Sequence, residues 1–173
     1  MQTANRKSGY TLMRFKGYTL IELLVGLTII AIVFSIGFSG YRDFSRRQAV
    51  AGVAKSIQSD LRNAQQLALT GQKPTVNYLN APVTCTRLSG YSFSRISAQN
   101  YQILANCDNL AQPVAIKNIV LSTDTSLTGS PVNTVKFKVL GQGTDLSAPL
   151  TFTLTHTAGT SSTITVGIGG DVK

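Results

Sequence analysis

The sequence predicts an α+β fold: one long N-terminal helix, membrane-embedded in its first half and amphipathic in its second, packed on an antiparallel β-sheet or sandwich. Two observations carry this expectation. Between residues 18 and 38 nearly every residue is Leu, Ile, Val, Ala, Phe, Gly or Thr, and apolar residues then recur at helical spacing as far as residue 68. After Pro74 the chain changes to short alternating runs broken by Gly, Asn, Asp, Ser and Pro clusters, the pattern of hairpin-linked strands.

At 1.5 Å per residue, a helix over the first apolar run covers ~30 Å, the hydrocarbon thickness of a bilayer. The run contains a single charge, Glu22. A carboxylate at that depth costs on the order of 2.5–3.5 kcal/mol and asks for a partner. Gly17 lies just ahead of it. A cut after Gly17 would create an α-amine on Tyr18, one helical turn from Glu22, and a neighbouring copy would present the same cation at the same depth. A secretory signal has a shorter apolar core with its cleavage site behind it. A plain anchor explains the hydrophobicity but not Glu22. The bases Arg6, Lys7, Arg14 and Lys16 precede the run, so the N-terminus stays cytoplasmic and the bulk of the chain faces outward. Gly9-Tyr10-Thr11-Leu12 repeats Gly17-Tyr18-Thr19-Leu20, but Arg14 takes the place of the acid and no apolar helix follows at once.

Gly37 and Gly40 loosen the exit from the membrane, and Arg42, Asp43, Arg46 and Arg47 mark its surface, the three arginines at the level of anionic headgroups. An apolar stripe follows: Val50, Val53 or Ala54, Ile57, Leu61, Ala64, and Leu67 or Ala68. Lys55, Gln58, Arg62 and Gln66 occupy the other face. Gly71 and Pro74 end the helix, which over residues 18–70 would be ~80 Å long. Strands are expected at 75–79, 91–96, 101–106, 114–121, 134–140, 150–157 and 163–168, with turn clusters at 123–131 and 141–149.

The segment Gly17-Tyr18-Thr19-Leu20-Ile21-Glu22 behind a basic leader resembles the type IV prepilin signal, with Tyr18 in place of the usual Phe. That resemblance implies a membrane peptidase that cuts between Gly17 and Tyr18 and N-methylates Tyr18. It also implies a helix bundled in a filament core, with Glu22 setting register between subunits. The organisation it implies is a leader at 1–17, a transmembrane or filament-core helix at 18–39, an amphipathic continuation at 40–71 and a β-rich globular domain at 72–173. The helix motif Asp60-Leu61-Arg62-Asn63-Ala64-Gln65-Gln66-Leu67-Ala68, followed by strands alone, is similar to the FimT/GspH group of minor pilins and pseudopilins. Some members of that group bind DNA through a basic C-terminal turn; here Asp171 stands where Arg is usual, and only Lys173 remains basic.

Net charge bounds the partners. The chain carries +9, but four of its sixteen Lys and Arg lie in the leader. Cutting leaves twelve bases against seven acids, or +5, below the density of a dedicated nucleic-acid binder. Cys85 and Cys107 are the only cysteines, and an outward-facing domain matures under oxidising conditions, which favours a disulfide over two buried thiols. Closing that loop of about twenty residues is worth about 3 kcal/mol in the chain-entropy model. One His, one Glu and no Gly-x-Ser-x-Gly motif argue against an enzyme, a metal site or a cofactor, and the Asp residues read as scattered over turns. The expected function is a structural subunit, a minor pilin or pseudopilin, of a type IV pilus, a type II secretion pseudopilus or a competence filament. Its partners would be other pilin subunits, the prepilin peptidase and membrane lipids, and its place a single-pass position in the cytoplasmic membrane. The alternative is a DNA-binding competence pilin, for which Arg42, Arg46, Arg47, Lys55 and Arg62 would form the phosphate-binding strip.

Overall fold

The computed structural model describes residues 17–74, 76–78, 81–83 and 85–173; the leader bases Arg6, Lys7, Arg14 and Lys16 lie outside them. The chain divides into two units, one ending at Tyr41 and the other Arg42–Lys173. A single helix, α1 (Leu20–Thr70), contributes to both. It starts two residues later than the apolar run suggests, because Thr19 caps it. The Thr19 hydroxyl accepts the backbone N–H of Glu22 at 3.3 Å. Thr-x-x-Glu is a capping-box pattern, and it places an acid in the first turn, where the helix dipole favours negative charge.

In the first unit the large apolar side chains of Leu20, Ile21, Leu23, Leu24, Leu27, Ile30, Val33 and Phe34 stand exposed around the helix. It is the one helix among the described residues long and apolar enough to cross a membrane. The hydroxyls of Thr28 and Ser35 donate to the carbonyls of Val25 and Ala31 on their own helix, so neither leaves an unmet hydroxyl on its apolar surface.

In the second unit the expected stripe is the buried one: Val50, Ala54, Ile57, Leu61, Ala64 and Ala68 are buried, with Val53 and Leu67 packed at their margin. The helix ends in a Schellman motif. Gly71 takes φ +61°, its N–H bonds Ala68 O, and the Gln72 N–H bonds Leu67 O. A side chain at Gly71 would be strained there whatever the space around it.

Among the described residues nine strands follow: β1 (Val76–Tyr78), β2 (Ala81–Val83), β3 (Leu88–Arg95), β4 (Asn100–Cys107), β5 (Val114–Val120), β6 (Thr125–Ser130), β7 (Thr134–Lys138), β8 (Leu150–His156) and β9 (Ser161–Val166). They form three antiparallel sheets, β1-β2, β5-β4-β3-β7 and β6-β8-β9. Tyr91, Phe93, Tyr101, Ile103, Val135 and Phe137 of the four-stranded sheet share one core with the α1 stripe and with Leu127, Leu150, Phe152, Leu154, Ile164 and Val166 of the three-stranded sheet. Phe93 links the layers, stacked on Tyr101 at 4.8 Å and edge-on to Phe152 at 4.9 Å.

The expected strand set needs four corrections. β6 occupies what reads as the 123–131 turn cluster: Thr, Ser and Gly are turn formers, yet Thr125 and Leu127 alternate inward and are buried. β2 contains Pro82, which hides a strand from the sequence. β7 stops at Lys138 rather than residue 140, because Leu140 turns to φ +57° in a 3-10 turn, Val139–Gly141. β9 ends at Val166, and the chain then turns so that Val172 pairs back on Val166. The expected strand at 75–79 coincides with β1 in its middle, while Thr75 and Leu79 lie outside the described residues.

Candidate functional site

The helix start carries the residues expected to act. Gly17 and Tyr18 precede α1 outside regular secondary structure and are exposed, and among the described residues nothing stands within 4 Å of where a Cβ on Gly17 would be. Packing among the described residues therefore does not require glycine at position 17. Glu22 sits one turn into the helix, exposed among uncovered apolar side chains. No counter-charge for it is present among the described residues.

Arg42, Arg46 and Arg47 follow on the same helix at the start of the second unit. Arg46 is held by Asp43 at 3.4 Å, while Arg42 and Arg47 are exposed. Of the remaining bases in the expected strip, Lys55 is exposed and Arg62 donates to the carbonyl of Val172 at 3.3 Å. The C-terminal turn therefore leans on the helix through Arg62. Within it the Gly167 N–H bonds the Asp171 carbonyl, and the Asp171 carboxylate pairs with Lys173 at 3.2 Å. The tail's only base is thus neutralised by its own neighbour.

Cys85 and Cys107 are joined in a disulfide, with Cα atoms 5.6 Å apart. The bond ties the loop before β3 to the end of β4, where Leu88 pairs with Cys107. Among the described residues no three His, Cys, Asp or Glu gather as a metal site.

A model of the prokaryotic N-terminal methylation motif matches residues 12–38. No curated relative matches the chain. Two solved crystal forms of the type IV minor pilin FimU of Pseudomonas aeruginosa are similar to it in structure, both at 12% identity. The first has a TM-score of 0.53 and covers 75% of this chain and 90% of FimU. The second has a TM-score of 0.50 and covers 71% and 90%. The chain joins an N-terminal methylation motif to a type IV pilin fold.

In this pilin fold a polar centre lies beneath the helix at Asp60, a residue the sequence placed on the helix without a partner. Asp60 is on α1 and buried. Its carboxylate accepts the Tyr101 hydroxyl from β4 at 2.9 Å and the Lys117 ammonium from β5 at 2.7 Å. Burial, then the Asp60 hydrogen bond and charge, hold the Tyr101 phenol well above its ordinary range, against a smaller lowering by Ser56. Tyr91, whose hydroxyl donates to Gln72 O at 2.6 Å, is raised by burial. Two signals in the sequence pointed to what was missed. Asp60 falls at stripe spacing, three residues past Ile57 and four before Ala64, and Thr19-x-x-Glu22 is a helix-start pattern.

Proposed function

We propose that this chain is a minor structural subunit of a pilin-type filament, cut after Gly17, methylated on the Tyr18 amine and held as a single-pass protein in the cytoplasmic membrane until assembly. One observation carries the reading: a lone carboxylate, Glu22, one turn into a bilayer-length helix whose apolar surface nothing among the described residues covers. In the membrane lipid covers that surface, with Arg42, Arg46 and Arg47 at the headgroups. In a filament other pilin helices cover it, and Glu22 meets the Tyr18 amine of a neighbour. Register follows because a subunit seated one turn too high or low would bury both charges unpaired, and each unpaired charge in a dry core is heavily penalised.

The experiment is intact-mass and N-terminal peptide analysis of protein made in a host that carries the peptidase. Expected is a chain beginning at N-methylated Tyr18 and recovered in sheared filaments; Gly17→Leu should block the cut. A terminus at Tyr10, or an uncut chain in a competent host, refutes the reading. The rival, DNA capture, draws no support from the comparisons, and Asp171 opposes it in the turn where a base would be needed.

A further inference from the structure

The outer face of the β6-β8-β9 sheet is an array of hydroxyls. Leu127, Phe152, Leu154, Ile164 and Val166 point into the core, so the residues that alternate with them point out. Register sets the outward residues in three ranks. Thr128, Thr153 and Thr163 lie abreast in the middle rank. Ser130, Thr151 and Thr165 lie on one side of it, and Ser126, Thr155 and Ser161 on the other. All nine positions are Ser or Thr, and each is exposed or half-buried. Strand propensity favours Thr on such a face but does not by itself fill it. The outer face of the four-stranded sheet, formed under the same preference, holds Gln102, Asn106, Lys136 and Lys138. The array ends beside Lys173, which pairs with Thr165 through the backbone and with Asp171 through its side chain.

The arrangement is periodic in two directions. Neighbouring strands stand ~4.8 Å apart, and outward residues recur at every second position, ~6.7 Å along each strand. Thr is restricted about χ1, so its methyl and hydroxyl hold defined orientations at the six Thr sites. Ser126 and Thr128 donate to the carbonyls of Thr155 and Thr153 at 3.3 and 3.2 Å. The other hydroxyls of the array have no protein partner among the described residues.

The nine positions carry neither charge nor ring. A charged partner would find no counter-charge there, and a planar ligand nothing to stack on. Water is what the array suits. A hydroxyl donates one hydrogen bond and accepts two, and first-shell waters held in this way are ordered at small cost. Hydroxyls at these two repeats hold waters at the same repeats, which are close to those of the oxygens on the prism face of hexagonal ice. The methyls between them narrow where those waters can stand.

We propose that this face binds ice. A periodic array favours a solid of matching repeat over a dissolved molecule, because many weak contacts form together once the first is made. The inference goes beyond the filament reading and gives the outward-facing domain a ligand of its own.

The test uses the full chain in lipid nanodiscs, in a solution from which ice is grown slowly on a cooled surface. Solutes without affinity for ice are rejected into the liquid. The chain should be enriched in the ice several-fold over empty nanodiscs, and small ice crystals grown in its presence should be faceted instead of round. Thr153→Lys with Thr163→Glu sets a cross-strand ion pair in the middle rank, which the sheet tolerates and the ice lattice does not. That chain should keep its melting temperature and lose both effects. Ser126→Thr, Ser130→Thr and Ser161→Thr together extend the stiff Thr lattice to every position and should raise the enrichment. A parent chain rejected as empty nanodiscs are, binding that survives the charged pair, or a completed lattice no better than the parent would overturn the proposal. So would retention on crystalline cellulose with rejection from ice, which would assign the face to a glycan. None of these readouts needs the cut at Gly17 or assembly, so their failure leaves the proposed function standing.

Discussion

Replacing Asp60 by Ala should unfold the globular unit at a lower temperature, and the structure sets the size of the effect. Asp60 and Tyr101 are both buried, so truncation leaves the Tyr101 hydroxyl without its acceptor, at about 1–3 kcal/mol. Lys117 is half exposed and regains water, so its share of the ion pair is that of a partly screened one, about 0.2–1 kcal/mol. The total, about 1–4 kcal/mol, corresponds to a fall of roughly 5–15 °C for a domain of this size. Asp60→Asn keeps an acceptor for Tyr101 and should cost less than about 1 kcal/mol. Thermal unfolding of the full chain in detergent, followed by circular dichroism with the disulfide intact, measures both. The pH dependence has a definite sign. The folded Tyr101 phenol titrates above its ordinary 10.0, so its contribution is full below that pH and is lost as pH rises through the folded value. Tyr101→Phe should flatten part of that alkaline loss, with Tyr91, also raised, supplying the remainder. An Asp60→Ala chain that melts within about 2 °C of the parent, or an Asn variant as weak as the Ala one, would refute the argument.

Non-reducing peptide mapping of exported protein should recover a Cys85–Cys107 crosslink, and replacing both residues by Ser should cost about 3 kcal/mol in unfolding experiments. Full alkylation of both thiols without reductant would contradict this. With the tail base paired to Asp171 and Arg62 occupied by Val172 O, duplex DNA should bind weakly and be released between low and physiological salt; submicromolar affinity at physiological salt would restore the DNA-capture reading.

Much of the fold was legible because period and burial coincide. The stripe from Val50 to Ala68 is written at helical spacing and is the buried face. The alternation at residues 135–139 and 150–154 reports strands whose inward residues, Val135, Phe137, Phe152 and Leu154, fill the core. The turn signals Gly71 and Pro74 stop the helix where they stand. What escaped the sequence depends on tertiary partners. β6 is made of Thr, Ser and Gly, residues that turn or extend according to what they pair with, and only the register with β8 decides it. Leu140 gives no local sign of positive φ. Asp60 looks like a surface acid until Lys117, far along the chain, comes over it. Of the expected assembly site, Gly17, Tyr18 and Glu22 are local in sequence and could be read together. The interface they are proposed to serve involves other chains.

Glu22 now has two physical accounts, and their magnitudes separate them. As the fourth residue of a capping box it supports the helix start that Thr19 caps, a contribution of about 0.3–1 kcal/mol from the dipole. Carrying a carboxylate into the hydrocarbon costs about 2.5–3.5 kcal/mol. The cap alone therefore leaves a deficit, and a cation supplied from outside the helix is needed to remove it. On the proposed reading, the Tyr18 amine freed by a cut after Gly17 would stand at the right depth. Glu22→Gln distinguishes the two accounts, since Gln is as good at that capping position but carries no charge. If capping were the role, the Gln chain would assemble and a Val chain would not. If the counter-charge sets register, both should insert at least as well as the parent, be cut at Gly17, and fail together in filament yield per membrane-bound mature chain. Normal assembly by the Gln chain would remove Glu22 from the register mechanism and leave it as a helix cap.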